Sequence, residues 1–179
     1  MDLSYLEAVA IDSARKVVVQ WRRGILTQDE VVRAIIVGLV RAGDGAERVI
    51  PPCVAALPLE LRDRLRGYVG ELATQDYRGW YCVVGTGPSD EELEQLRPQC
   101  RAVCEGVERV LREAKERPSA LDEAAGIEVD VFWALLRDRP TAENPPCRRP
   151  GCTALSLNSS IYCPRHHYEE IEGRSPPEG

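Results

Sequence analysis

Apolar residues recur at helical spacing along most of the chain. Leu6, Val9, Ala10, Ala14, Val17 and Trp21 follow one another at the period of one helix face, and Gly24 is a fitting stop. Thr27 and Glu30 form a capping box ahead of Val31, Ile35, Leu39 and Ala42. Val32, Ile36 and Val40 add a second stripe, so this helix is apolar on most sides and is expected at the centre of a bundle. Gly43 to Gly45 ends it. Pro51-Pro52 and Pro58 read as punctuation of a loop, followed by a helix carrying Leu61, Leu65, Tyr68, Val69 and Leu72. From Tyr77 to Pro88 the pattern fits either a short strand or an aromatic plug, with Trp80, Tyr81, Val83 and Val84 as its apolar content. Ser89 and Glu92 then box a long helix lined by Leu93, Leu96, Cys100, Val103, Val107, Val110 and Ala114, with a kink expected at Pro98.

This patterning predicts a mainly α protein: a helical bundle over residues 1–140, a proline-marked linker over 141–146, a small module over 147–172 and a disordered end over 173–179. At 179 residues, with 44% hydrophobic and 29% charged content, the chain can build one core and carry a small appendage. Its longest apolar run, Ala34 to Val40, is bracketed by Arg33 and Arg41 and is too short to cross a membrane. With no export signal legible, the expectation is a cytoplasmic protein without a membrane partner.

The chemistry is concentrated in the small module. Cys147, Cys152, Cys163 and the adjacent His166 and His167 lie within twenty-one residues, and these are the only two histidines of the chain. The spacing is C-x4-C-x10-C-x2-H with His166 as fourth ligand, or C-x10-C-x3-H with His167 as the alternative. Thiolate and imidazole are the donors that tetrahedral Zn²⁺ prefers, and short spacings let one tight turn present two of them. Gly151 precedes Cys152, where a sharp backbone turn around an ion is needed. A disulfide is disfavoured by an odd total of seven cysteines in a chain without an export signal. Four ligands and no Asp or Glu between Cys147 and His167 describe a structural Zn²⁺ site better than a catalytic one, which keeps a position open for water.

Residues 146–168 resemble the small Cys3His zinc-binding modules of treble-clef or ribbon-like kind, often appended to nucleic-acid and interaction proteins. A second resemblance is weaker. The run from Ser119 to Arg137 is similar to a repressor-type helix-turn-helix, within a unit spanning 89–139. Leu121, Ala124 and Ala125 stand on the first helix, Gly126 at the turn, Ile127 after it, and Phe132, Leu135 and Leu136 on the second. Its recognition helix would begin Glu128, Val129, Asp130, Val131, with Trp133 beyond, and acids there repel phosphate.

Charge adds to that picture. The formal net charge is −6, which gives no general attraction to nucleic acid. Arg148, Arg149 and Arg165 make the tail locally basic and are the candidate nucleic-acid contacts, but with three thiolates and one Zn²⁺ the patch retains only about +2. Cys53, Cys82, Cys100 and Cys104 are read as buried thiols, since Cys100 shares an apolar stripe with Val103 and Val107; a second metal or redox site is the alternative. Neither a P-loop nor a dinucleotide fingerprint is present, and Gly85-Thr86-Gly87 reads as a turn. The expectation is a non-enzymatic zinc-binding interaction or adaptor protein whose partner is another protein. The alternatives are a nucleic-acid-associated regulator using the basic tail and, behind it, an enzyme acting at the metal.

Overall fold

A computed structural model describes residues 3–74, 89–119, 121, 128–137, 143–158 and 160–176. Among these, seven α-helices and one short 3-10 turn account for the regular structure, and no strand occurs. In chain order the helices are α1 (Tyr5–Arg22), α2 (Gln28–Arg41), α3 (Ala46–Ala55), α4 (Leu59–Thr74), α5 (Asp90–Glu116), α6 (Glu128–Arg137) and α7 (Pro164–Glu172). None of them is long and apolar enough to cross a membrane.

Local chemistry starts three of these helices in the same way. Ser4, Thr27 and Ser89 each accept a hydrogen bond from the backbone N–H three residues on, and Glu7, Glu30 and Glu92 reach back to the cap N–H. Each box satisfies two donors that the first turn leaves without helical partners. At Glu30 and Glu92 these hydrogen bonds also hold the carboxyl below its ordinary value. Glu7 is the unusual member, because it is buried and also pairs with Arg48 at 3.3 Å. The first helix ends where expected: Arg22 is its last residue and Gly24 turns the chain at φ +70°.

α2 is the central helix, as its double stripe requires. It packs against α1, α3, α4 and α5, and Val31, Val32, Ile35, Ile36, Leu39 and Val40 are all buried. α3 and α4 both pack on α5, whose buried residues include Cys100, Val103, Cys104 and Val107. α6 lies along α1, burying Val131, Phe132, Ala134 and Leu135. Pro98 sits inside one continuous helical span from Asp90 to Glu116.

Two expectations are corrected. Pro51 and Pro52 lie inside α3 and not in a loop. Each proline removes one helical donor, but Val49, Ile50, Pro52, Cys53 and Val54 are buried together, and this packing overrides the local signal. Arg62 steadies the far end of α3 by donating to the carbonyls of Val54 and Ala55. The second correction concerns α1. α1 buries Ala8, Ala10, Ile11, Ala14 and Val18, so Ala10 and Ala14 of the expected stripe lie in the core, whereas Leu6 is 56% exposed and Val9, Val17 and Trp21 are half-buried against it. The bundle thus uses part of the expected stripe and adds Ala8, Ile11 and Val18, which periodicity did not single out.

Several readings fall outside the described residues: the strand or plug at Tyr77–Pro88, Cys82, and Ala124, Ala125, Gly126 and Ile127 of the helix-turn-helix resemblance. Of that resemblance, Leu121, Phe132 and Leu135 are buried.

The reassigned face of α1 can be tested by urea unfolding. Ile11→Ala deletes a fully buried side chain and should cost about 2–5 kcal/mol. Leu6→Ala, on the exposed stripe, should shift stability by no more than about 0.5 kcal/mol. Equal losses would place both residues in one core.

Candidate metal centre

The module is built from a turn, one antiparallel bridge and a helix. Pro146 and Leu155 form the bridge, with Cys147 N–H donating to the Ala154 carbonyl at 2.8 Å and Ser156 N–H to that of Pro145 at 2.9 Å. Asn144 donates to the Ser156 carbonyl, so residues expected in the linker are hydrogen-bonded into the module. Between Cys147 and Cys152 the chain reverses at Gly151, whose φ of +79° is a conformation that L side chains rarely adopt. Arg148 N–H donates to Ile161 O and Leu157 N–H to Tyr162 O, which draws the third cysteine back beside the first two. Cys163 caps α7, Pro164 fills its first position with a preset φ, and Gly173 closes it in the left-handed region.

These local features bring Cys147, Cys152, Cys163 and His166 together, with one ligand atom from each within 4.8 Å of all the others. Cys147 Sγ and Cys163 Sγ each lie 3.4 Å from His166 Nδ1, and Cys152 Sγ lies 3.9 Å from Cys163 Sγ. A tetrahedral Zn²⁺ with bonds of about 2.3 Å to sulfur and 2.0–2.1 Å to nitrogen requires separations of about 3.8 Å between sulfurs and 3.6 Å from sulfur to nitrogen. These three separations are close to the tetrahedral values, and the four atoms form a group that could hold a metal ion. All three cysteines are free thiols.

The electrostatics of the cluster point the same way. Burial pushes the Cys147 thiol up, but hydrogen bonds from the backbone N–H groups of Cys163 and Arg149 and from His166 outweigh it and hold the thiol down at about 6. The Cys163 thiol is pushed up to about 11 by burial and by the sulfurs of Cys147 and Cys152. One thiolate thus forms readily, while further ionisation in the same small space is opposed. A divalent cation among the sulfurs removes that opposition.

The structure separates the two histidines. His166 joins the cluster; His167, the alternative ligand, is turned away and buried. Its Nε2 lies 2.7 Å from Asp12 Oδ1 in the middle of α1, and its Nδ1 lies 2.8 Å from Ser160 Oγ. Tyr162 N–H donates to the same hydroxyl at 3.2 Å. A carboxylate only accepts, so an ionised Asp12 takes its hydrogen bond from Nε2–H, while Nδ1 shares the second bond with the Ser160 hydroxyl. The order Ser160–His167–Asp12 has the composition of a hydrolytic triad, but Asp12 and His167 are sealed at 5% and 4% exposure and tie α7 to α1. Sequence reasoning missed Asp12 and Ser160; the available signal was an acid beside Ile11 on the buried side of α1, the second buried acid of that helix after the capping Glu7.

Three further contacts complete the docking of α7. Arg15 pairs with Glu172 at 2.8 Å, Arg23 pairs with Glu170, and the Phe132 and Tyr168 rings meet edge to face with centroids 5.0 Å apart. The candidate nucleic-acid contacts are on the surface: Arg148, Arg149 and Arg165 are exposed, and Arg165 is paired with Glu169 at 2.9 Å. Cys53, Cys100 and Cys104 are buried in the bundle, and burial pushes their thiols up to about 12, 11 and 12. They join no group of possible metal ligands among the described residues.

Comparison with protein-family models, with curated proteins and with solved structures finds no match to the chain.

The two histidines make opposite predictions. Elemental analysis should find about one zinc per wild-type chain. His166→Ala and Cys152→Ser should lose it on dialysis, because each removes a ligand. His167→Ala should keep the zinc but lower stability by about 1–3 kcal/mol, since Asp12 is left buried without its donor. Metal loss in His167→Ala with retention in His166→Ala would reverse the ligand assignment.

Proposed function

We propose that this chain is a non-enzymatic, cytoplasmic zinc-binding interaction or adaptor protein, and that its Cys3His centre is structural. The observation that carries the reading is the convergence of four protein donors within 4.8 Å of one another. A Zn²⁺ held by Cys147, Cys152, Cys163 and His166 has no vacant position at which to activate water. In this reading the module is of the treble-clef kind and the ion supplies most of its folding energy, because Leu155, Leu157, Ile161 and Tyr162 are too little apolar surface to order it unaided. The ion then fixes the start of α7, and α7 braces α1 and α6 as a rigid surface for a protein partner.

A protein partner is also the better match to the charges. Of the three arginines in the basic tail, Arg165 is already paired with Glu169, and the whole chain carries −6. Such a patch supports weak, strongly salt-dependent contact with phosphates and little more.

Replacing the metal with Co²⁺ tests the closed site. The expected spectrum is that of tetrahedral Co²⁺ with thiolate charge-transfer bands, unchanged by added azide. A spectrum that shifts on azide addition would reveal an exchangeable position and defeat the structural reading. Salt-resistant, sequence-selective duplex binding would replace the adaptor with a nucleic-acid regulator.

A further inference from the structure

α1 offers apolar side chains in two directions, and the bundle covers one of them. Ala8, Ile11, Ala14 and Val18 face the core. Leu6, Val9 and Val17 line, with Ala34 and Val37 of α2, an open groove of about 660 Å³, and Val9, Val17 and Val37 also pack partly against the core. The metal module meets α1 through other residues, Asp12 and Arg15, so it leaves this face uncovered.

The groove has a definite length and a definite charge. Along α1 it runs from Leu6 to Gln20 and along α2 from Glu30 to Arg41, or about 21 Å and 16 Å at 1.5 Å per residue. That length accommodates about three to four turns of a third helix. A peptide that binds by strand pairing has no sheet edge to join among the described residues. Lys16, Arg33 and Arg41 line the groove. Glu30 is the acid among its described lining residues, and its carboxylate already accepts hydrogen bonds from the Thr27 N–H and hydroxyl. Arg33 also hydrogen-bonds Tyr68, so Lys16 and Arg41 are the cations that flank the incoming segment, and locally they favour carboxylates over a basic helix.

We propose that the α1–α2 groove binds one amphipathic helix of a partner protein, with aliphatic residues on its buried face and Asp or Glu along its flanks. The proposal rests on the reading of the chain as an interaction adaptor and names the surface and the partner chemistry. Leu6, Val9, Val17 and Val37 supply apolar contact to residues spaced i, i+3, i+4 and i+7 on the incoming helix. Lys16 and Arg41 set its orientation and exclude Lys-rich competitors.

The test uses the full-length, zinc-loaded protein and a display library of helix-forming peptides of roughly sixteen residues, about four turns. The library is randomised on one face and both flanks, and counter-selected on a Val17→Glu/Val37→Glu variant. Enriched peptides should show an aliphatic face flanked by acids and should perturb amide NMR signals of α1 and α2. They should also bind a Lys16→Glu/Arg41→Glu variant at least tenfold more weakly. This second variant changes only the border charges, so it keeps the test meaningful if the valine variant fails to fold. Failure to enrich any peptide, enrichment of basic flanks, or equal binding to the Lys16→Glu/Arg41→Glu variant would overturn the proposal. A wild-type dimer in sedimentation velocity that this charge variant breaks would assign the groove to a second copy and overturn it as well. Peptides that bind on α7 or the metal module would remove the groove and leave the adaptor reading standing. An azide-sensitive Co²⁺ site would remove the structural reading of the metal and leave the groove to be judged on the peptides.

Discussion

Three sulfurs and an imidazole nitrogen packed within 4.8 Å of one another cannot all be good donors unless a cation sits among them. The organisation of the C-terminal part depends on that constraint. The Gly151 turn, the Pro146–Leu155 bridge and the Cys163 cap all place ligands around one point, and the first turn of α7 is fixed as a result. Because α7 begins at a ligand, the residue after His166 has a fixed direction, and that residue is His167. The path from the ligand cluster through α7 to Asp12 couples a candidate metal site of a few residues to a buried hydrogen bond between residues 155 positions apart.

That coupling explains how two parts with very different cores hold together. The bundle is stabilised by apolar burial centred on α2, whose apolar residues lie on nearly every side. The module has few such residues and meets the bundle through polar and aromatic contacts: His167 with Asp12, Arg15 with Glu172 and Phe132 against Tyr168. A buried histidine held on both ring nitrogens is specific in geometry and costly to leave half-satisfied, so it fixes one docking pose more strictly than apolar contact would. α1 consequently serves three neighbours at once. One side enters the core, a second receives α7, and a third forms the groove with α2.

Much of this was legible in the sequence, because the signals were local. Capping boxes at Thr27–Glu30 and Ser89–Glu92 act over three residues, and the stripes of α2, α4 and α5 repeat every turn. The ligand set was legible for the same reason: ligand spacing in a short loop limits which side chains can meet at one ion. The errors arose where a distant contact outweighed a local one. Pro51 and Pro52 are strong loop signals, yet α3 keeps them because its buried face is held by α5 and α1. On α1 two stripes of similar quality compete, and no local rule says which one faces α2 and α3.

Periodicity and ligand spacing alone thus determined a mainly α chain with a central second helix and a candidate Cys3His group near residue 160, with either histidine as its fourth member. Only the tertiary structure decided which histidine turns to the sulfurs, which face of α1 is buried, and that Asp12 receives His167. The reason is physical. Helix caps, periodic stripes and short ligand loops depend on residues a few positions apart. The His167–Asp12 bond joins residues 155 positions apart, and no local interaction encodes it.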